Sequence, residues 1–365
     1  MNKKRVVIAD DSAFVRQALK KMLSKHGIEV LGTAGDGEEV LTKVLRLNPD
    51  VLLLDLEMPK LDGFSVIRIL MKTSPLPIIV FSSKSSSENV FRALELGAID
   101  FIPKPVSKAS DKIFDVEEEI IKRIQWASLS DIKKKFFNHS YMNLKKLAEL
   151  EILPPKVKPV SLTEEYRAPS RIVMIGASTG GPTEITQLLS QIPAELDIAI
   201  LIAQHMPYGF TKPFAERLNK YSSLHVKEAE SRELVKRGNV YISPGGYHME
   251  IFVVENRYRL RLLRKEPEDK YVPSIDILFK SGAKVFGERA MGILLSGMGN
   301  DGIEGMKAIR EMGGITVAES EETSILYGMP KGALEKNVAQ MILPLYEIPS
   351  IIIKWSKSAL KTPPF

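Results

Sequence analysis

In residues 3–122, short apolar runs at 5–9, 29–33, 51–54, 77–81 and 99–102 alternate with stretches whose apolar positions recur at helical spacing. Apolar runs without polar alternation predict strands covered on both faces, and the intervening helical patterns make this a doubly wound parallel sheet. The rhythm lapses between Ser107 and Ser170. There Ile113, Val116, Ile120, Ile121 and Ile124 keep helical spacing with Glu117, Glu118 and Glu119 outward, but Pro154, Pro155, Pro159 and Pro169 oppose a continuous helix. Residues 142–152 are patterned for a short amphipathic helix of their own. From Arg171 the rhythm returns, with strands predicted at 172–175, 198–203, 240–242, 293–295 and 316–318 and helices at 182–191, 211–219, 275–286 and 302–312. Residues 251–263 alternate about Glu255-Asn256, which predicts a β-hairpin inserted in the second parallel sheet. The chain therefore divides into a first domain at 1–122, a linker at 123–169, a second domain at 170–355 and a tail at 356–365.

The second domain opens with the stretch that carries most chemistry. Its first strand breaks at Gly176 into Ala177-Ser178-Thr179-Gly180-Gly181-Pro182, a strand, tight turn and helix start. A serine there stands at the carboxyl end of a parallel strand, where open α/β sheets bind ligands, beside backbone N–H groups suited to a developing oxyanion. Glycines shaping a turn and a capping serine would produce the same pattern, so the remainder of the domain has to decide. A nucleophilic serine needs a general base and a group that orients the base.

Of the 5 histidines, His26 and His139 lie outside this domain, and His225 reads as a half-exposed strand residue. His205 closes the strand at 198–203 and shares the sheet edge with Ser178; His248, after Pro244-Gly245-Gly246, is the reserve candidate. Asp301, in the turn after the strand at 293–295, is a candidate orienting carboxylate, although an Asp before a helix is also a common N-cap. Residues 176–180 formally fit G-x-S-x-G, but the order Ser178, His205, Asp301 matches none of the α/β-hydrolase, chymotrypsin or subtilisin orders. A G-x-G-x-x-G dinucleotide signature would need glycine at position 178, which disfavours a dinucleotide site.

In the first domain, Asp10, Asp11, Asp55 and Lys104 all fall at strand ends on the carboxyl edge. Singly, each acid reads as a cap or a loop charge. Together they supply hard oxygen ligands for Mg²⁺ and a carboxylate able to accept a phosphoryl group, with Lys104 to neutralise it and Ser82 to hydrogen-bond the new oxygens.

Composition narrows the picture. With Cys 0 there is no disulfide framework, thiolate metal site or cysteine nucleophile. No apolar segment approaches spanning length and no signal peptide is evident, so a cytoplasmic protein without membrane insertion is expected. The net charge of +6 includes Lys133-Lys134-Lys135 and Lys145-Lys146 in the linker, and is not read as nucleic-acid binding.

VVIADDSAFVRQAL, DVLLLDLEMPKLDG, PIIVFSS and GAIDFIPKP together resemble the response-regulator receiver domain. The resemblance implies Asp55 as phosphoacceptor, Asp10 and Asp11 as the acidic pair that binds Mg²⁺ with it, Ser82 as the switch hydroxyl and Lys104 as the phosphate-sensing lysine. Phe101 falls where receivers carry an aromatic ring that turns inward. IGASTGGP, LIAQHMPYGFTKPFAERL, VYISPGGYHME, VPSIDILFKSGA, LLSGMGNDGIEGM and SILYGMPKGAL are similar to the catalytic domain of the chemotaxis protein-glutamate methylesterases, the CheB family.

This second resemblance implies a Rossmann-like catalytic domain after a (βα)5 receiver. It makes Ser178 the nucleophile, His205 the base and acid and Asp301 the orienting carboxylate, with Thr179, Gly180, Met298 and His248 around the oxyanion pocket. It implies hydrolysis of glutamyl γ-methyl esters and deamidation of glutamines on chemoreceptor cytoplasmic domains, with no cofactor for the esterase step and a chemotaxis histidine kinase as phosphodonor. The expected protein is a monomer whose unphosphorylated receiver restrains the edge bearing Ser178. A non-enzymatic response regulator and a general esterase are the competing readings.

Overall fold

The structure is a computed structural model that describes residues 3–83, 87–104, 116–130 and 166–358. The helix expected at 142–152, the start of the linker helix at Ile113 and residues 359–365 of the tail lie outside the described residues. The chain resolves into two units, split after Ile152.

In the first unit, strands β1 (Arg5–Ala9), β2 (Glu29–Ala34), β3 (Val51–Leu54), β4 (Ile78–Ser83) and β5 (Asp100–Lys104) form one parallel sheet in the order β2-β1-β3-β4-β5. Helices α1 (Ala13–Lys25), α2 (Gly37–Leu47) and α3 (Gly63–Thr73) start at the side-chain caps Ser12, Asp36 and Asp62, each accepting a backbone N–H of the first turn. Helix α4 (Ser87–Glu95) follows β4, and α5 (Glu117–Ala127) follows β5 and runs beyond residue 122. Arg123 of α5 donates to the Asp100 carboxylate and, at 3.1 Å, to the Phe101 carbonyl, which ties this helix to β5. All of β3 is buried, as its unbroken VLLL run requires of a central strand. The strand order reverses at β1, so a crevice opens between the carboxyl ends of β1 and β3.

The second unit holds a seven-stranded sheet in the order β14-β13-β12-β6-β7-β9-β8, parallel throughout. Its strands are β6 (Arg171–Ala177), β7 (Ile198–Gln204), β8 (His225–Glu228), β9 (Asn239–Ile242), β12 (Ala290–Leu294), β13 (Ile315–Glu319) and β14 (Met341–Leu343). Helices α6 (Gly181–Leu189), α7 (Thr211–Tyr221), α8 (Ile275–Phe286), α9 (Ile303–Glu311), α10 (Met329–Glu335) and α11 (Ile348–Lys357) complete it, α11 running beyond residue 355. Every residue of β6 and β7 is buried, and the order again reverses at β6, between β7 and β12.

The hairpin is present as β10 (Tyr247–Val254) and β11 (Arg257–Arg264), but it is not inserted in the parallel sheet. It forms a two-stranded sheet of its own. Glu255 and Asn256 both take left-handed backbone angles, with φ of 52° and 56°, the geometry that a tight hairpin turn needs. Met249, Ile251 and Leu260 belong to the buried cluster with Leu278 and Phe279 of α8, and Ser281 Oγ accepts the Ile251 N–H at 3.1 Å. The hairpin thus buries its apolar face on a helix rather than by edge pairing.

Candidate active site and phosphoacceptor pocket

In the first unit, Asp10 follows β1, Asp55 follows β3 and Lys104 ends β5. The Lys104 ammonium lies 2.6 Å from Asp55 Oδ2 and 2.9 Å from Asp10 Oδ2. Burial opposes a charge on Lys104, but the two carboxylates outweigh it and hold the ammonium above its ordinary range. Burial pushes the Asp10 carboxyl up, and Lys104 offsets this only in part. Such a carboxylate favours a further cation beside it. Asp10, Asp11 and Asp55 can bring one oxygen each to within 4.8 Å of one another, so the donor set fits a hard divalent ion. Arg16 braces the site from α1 by donating to the Asp10 and Asp11 carbonyls at 2.6 and 3.0 Å. Ser82 and Phe101 are buried on the neighbouring strands, and the Phe101 ring meets Phe91 edge-on at 6.5 Å.

In the second unit, β6 and β7 pair with Ala177 opposite Gln204, so Ser178 and His205 leave adjacent strands side by side. The His205 N–H continues the ladder to the Ala177 carbonyl at 3.0 Å. Gln204 Nε2 donates to the carbonyls of Ser178 and His205 at 2.9 and 3.1 Å, bracketing the two turns. Glycine is required at 181, because a Cβ would come within 2.6 Å of the Ala177 Cβ, which cannot turn aside, as well as 2.3 Å of Gln204 Oε1.

Asp301, from the loop after β12, reaches His205 at 2.9 Å between Oδ2 and Nε2. The same carboxylate accepts from the N–H groups of Ile275 at 2.7 Å and Asp276 at 3.0 Å, and from Ser274 Oγ at 3.1 Å. Burial would raise the Asp301 pKa, but His205 and the helix N–H groups prevail and hold it below the usual range. An ionised Asp301 only accepts, so His205 Nε2 carries the proton and Nδ1 keeps its lone pair. Asp301 does not cap its own helix. Gly302 is the N-cap of α9, and Asp276 accepts the Gly302 and Gly305 N–H groups at 2.9 and 2.7 Å. Asp301 in the loop thus caps α8, and Asp276 in the first turn of α8 caps α9. Tyr271 lies flat on the His205 ring, with centroids 5.1 Å apart and planes 4° from parallel.

His248 lies elsewhere in the arrangement. Its Nε2 donates to Asp269 at 2.8 Å and its Nδ1 accepts the Ser274 N–H at 3.1 Å, so both nitrogens are occupied. The structure places it behind Ser274, which in turn holds Asp301. The Ser178 N–H donates to the Ser296 carbonyl at 2.9 Å. It is thus committed within the protein, whereas the Met298 N–H has no protein acceptor among the described residues. Gly180, with φ of 88°, is the N-cap of α6 and lets Ile325 pack against the turn, where a Cβ would meet the Ile325 Cβ at 2.7 Å. Thr179 is buried next to Ser178.

Sequence reading did not single out Gln204, Ser274 or Tyr271. Adjacency to His205 was the one signal available for Gln204, and Ser274 before an amphipathic run carried the ordinary helix-cap signal. Tyr271 carried no local signal, because its stacking depends on the fold.

Residues 173–352 match the family model described as CheB methylesterase, and residues 6–113 that of the response regulator receiver domain. The chain is 42% identical over 362 residues to the protein-glutamate methylesterase/protein-glutamine glutaminase 3 of Geobacter sulfurreducens, covering 97% of this chain and 98% of that protein. It is 38% identical over 355 residues to the protein-glutamate methylesterase/protein-glutamine glutaminase of Archaeoglobus fulgidus, covering 96% and 97%. The crystal structure of the Thermotoga maritima CheB methylesterase catalytic domain is similar with a TM-score of 0.50 at 37% identity, covering 51% of this chain and 98% of that one.

Proposed function

Because the chain belongs to the CheB-type family of protein-glutamate methylesterases/glutaminases, a receiver domain followed by a methylesterase domain, we propose that its reaction runs through Ser178, His205 and Asp301. The protein is a protein-glutamate methylesterase and protein-glutamine glutaminase regulated by its receiver domain, and it acts in chemotaxis adaptation on chemoreceptor substrates. The observation that carries the residue assignment is the His205 Nε2 to Asp301 hydrogen bond, which leaves Nδ1 as a base on the strand end beside Ser178.

Ser178 Oγ attacks the γ-carbonyl carbon while its proton passes to His205 Nδ1. The carbonyl electron pair moves onto oxygen, where the free Met298 N–H is a donor. Collapse of this intermediate breaks the bond to methoxide, which leaves as methanol with the proton from His205; for glutamine the leaving group is ammonia. Water then attacks the acyl-serine as His205 takes its proton, and the bond to Ser178 Oγ breaks as His205 returns that proton to Oγ, leaving the glutamate side chain as a free acid that ionises to the carboxylate. Asp301 holds the imidazole in the required tautomer and stabilises the imidazolium.

In the receiver, Asp55 is the phosphoacceptor, with a histidine kinase as phosphodonor, and Asp10, Asp11 and Asp55 would hold Mg²⁺. The ion would supply charge neutralisation for an incoming phosphoryl group. Lys104, already against Asp55, is placed to pair with the phosphorylated side chain, and Ser82 and Phe101 to respond to it. On this reading the receiver extends past residue 122 to the end of α5 and the catalytic domain past residue 355 to the end of α11, joined by the segment between. Among the described residues, no helix is long and apolar enough to cross a membrane.

A serine-directed phosphonate ester tests the assignment. Peptide mapping by mass spectrometry is expected to find the adduct on Ser178 in the wild type and no stoichiometric adduct in His205→Ala. Labelling at another serine would refute it.

A further inference from the structure

Behind the Ser178 turn lies a pair of acids that the reaction does not use. Glu184 in the first turn of α6 and Glu319 at the end of β13 are 2% and 0% exposed. The two carboxyl groups converge on one backbone donor, the N–H of Ser296. Neither forms an ion pair among the described residues. Two buried carboxyl groups turned onto the same N–H without a cation to pair them disfavour double ionisation, so the pair holds one proton between them. Burial pushes Glu184 well above the usual range, and the charge of Glu319 adds to this; burial likewise raises Glu319.

What the pair grips matters more than its charge. The Ser296 N–H donates to both acids, at 3.0 Å to Glu184 Oε2 and 3.1 Å to Glu319 Oε2. Ser296 Oγ donates to Glu319 at 3.2 Å, and the Ser296 carbonyl receives the Ser178 N–H. Glu184 Oε1 accepts the Ile325 N–H at 3.2 Å, and Ile325 packs on Gly180 of the same turn. Ser296 Oγ also accepts the Leu326 N–H, and the Leu326 carbonyl accepts the Gly297 N–H, one residue before Met298. Both walls around the nucleophile, 296–298 and 325–326, thus hang on these two carboxyl groups.

Resting on the assignment of Ser178 as nucleophile, we propose that Glu184 and Glu319 form a one-proton clamp that positions Ser178 and the Met298 N–H for catalysis. Removal of the shared proton leaves two anions side by side in a buried site, and their repulsion loosens the Ser296 anchor. These are positioning residues, since neither touches the substrate. Among the elements around them, α6 and β13 offer no other titratable side chain, β12 none, and β6 only Arg171 at its far end. The 320–328 loop carries Glu321, Glu322 and Tyr327, α10 carries Lys331 and Glu335, and His205 follows β7. Tyr327 is the competing alkaline group: burial, with Glu321 and Glu335, raises it, and it bridges to Gly297.

The test is the pH profile of kcat and KM for methanol release by the full-length protein, with Ser178→Ala as baseline. The wild type should show an alkaline limb in kcat with KM little changed. Glu184→Gln cannot ionise, but its amide turns an N–H toward one of the backbone N–H groups that the carboxyl accepts, Ser296 or Ile325, so its kcat should be lowered across the range and should lack that limb. Tyr327→Phe should keep it. Glu319→Gln turns an N–H toward donors that the carboxylate accepts, and should lower kcat by about tenfold or more. Thermal unfolding of each variant separates misfolding from mispositioning, and if Glu319→Gln fails to fold, Glu184→Gln decides alone. An unchanged limb in Glu184→Gln, or its disappearance in Tyr327→Phe, would overturn the clamp. Full activity in Ser178→Ala would instead overturn the nucleophile assignment on which it rests.

Discussion

Asp301 shows how much a single side chain can be asked to do. It accepts from one imidazole, one hydroxyl and two backbone N–H groups, and these hold its pKa down despite burial. The contribution of these bonds to stability is therefore present above the ordinary Asp range and lost only as pH falls through the depressed value. Asp301→Asn can keep the Asp276 N–H and Ser274 Oγ bonds through its carbonyl, but its amide then faces His205 and the Ile275 N–H, giving up the Ile275 bond and favouring the tautomer with Nδ1 protonated. Kinetics should show kcat lower by roughly 10³- to 10⁴-fold with the fold retained; a loss under tenfold would contradict its role.

Glu184 obeys the opposite sign. With a raised pKa the folded state binds more protons than the unfolded chain, so stability falls as pH rises from the ordinary Glu value through the raised one. Glu184→Gln removes this term, and thermal unfolding should show its stability relative to wild type improving as pH rises through that window. A constant difference would show that the pair does not hold a shifted proton. Asp301 was legible in the sequence because strand ends and an acid in one loop converge on one sheet edge. Its cap partnership with Asp276 was not, since that depends on a loop meeting the first turn of a helix 25 residues away in sequence. Glu184 reads locally as an ordinary acid in a first helical turn, and only β13 brings Glu319 against it.

At the scale of elements, the reaction centre is a consequence of β6 and β7 in register and β12 on the other side. The unbroken apolar runs of these strands were legible because strands buried on both faces have no polar alternation to obscure them. Strand β14 was missed: its three residues are only partly buried at the sheet edge. The run Ile351-Ile352-Ile353 in α11 has no helical period of its own, and helix α10 is short, with a proline in second place. The hairpin was legible as a hairpin, but its packing partner was not, because alternation says which face is buried and not against what.

Close packing between elements also sets a limit on substitution. Gly297, after β12, faces the nucleophile: an added Cβ would come within 2.7 Å of Ser178 Cβ and 2.2 Å of the Met329 sulfur. The methionine can swing aside, but Ser178 cannot move without leaving the line of attack. Gly297→Ala is expected to cost about 1–3 kcal/mol of stability by denaturant unfolding and about 10²-fold in kcat. Unimpaired turnover would show that the 296–298 loop is not tied to the nucleophile.

Across the whole molecule, the same construction appears twice. Each unit is a parallel sheet whose strand order reverses beside its first strand, and each gathers its polar side chains at that reversal. In the receiver the gathered groups are three acids and a lysine, suited to phosphoryl chemistry on a carboxylate. In the methylesterase domain they are a serine, a histidine and an acid, suited to acyl transfer. The coupling of the two activities was legible from the presence of both motif sets in one chain. The measurement that bears most directly on this account is methanol release from methylated chemoreceptors by wild type, Ser178→Ala and Asp55→Asn, each with and without Mg²⁺ and a small phosphodonor. The account predicts release that requires Ser178 and that rises with the phosphodonor in the wild type but not in Asp55→Asn. Equal release by Ser178→Ala and wild type would contradict it.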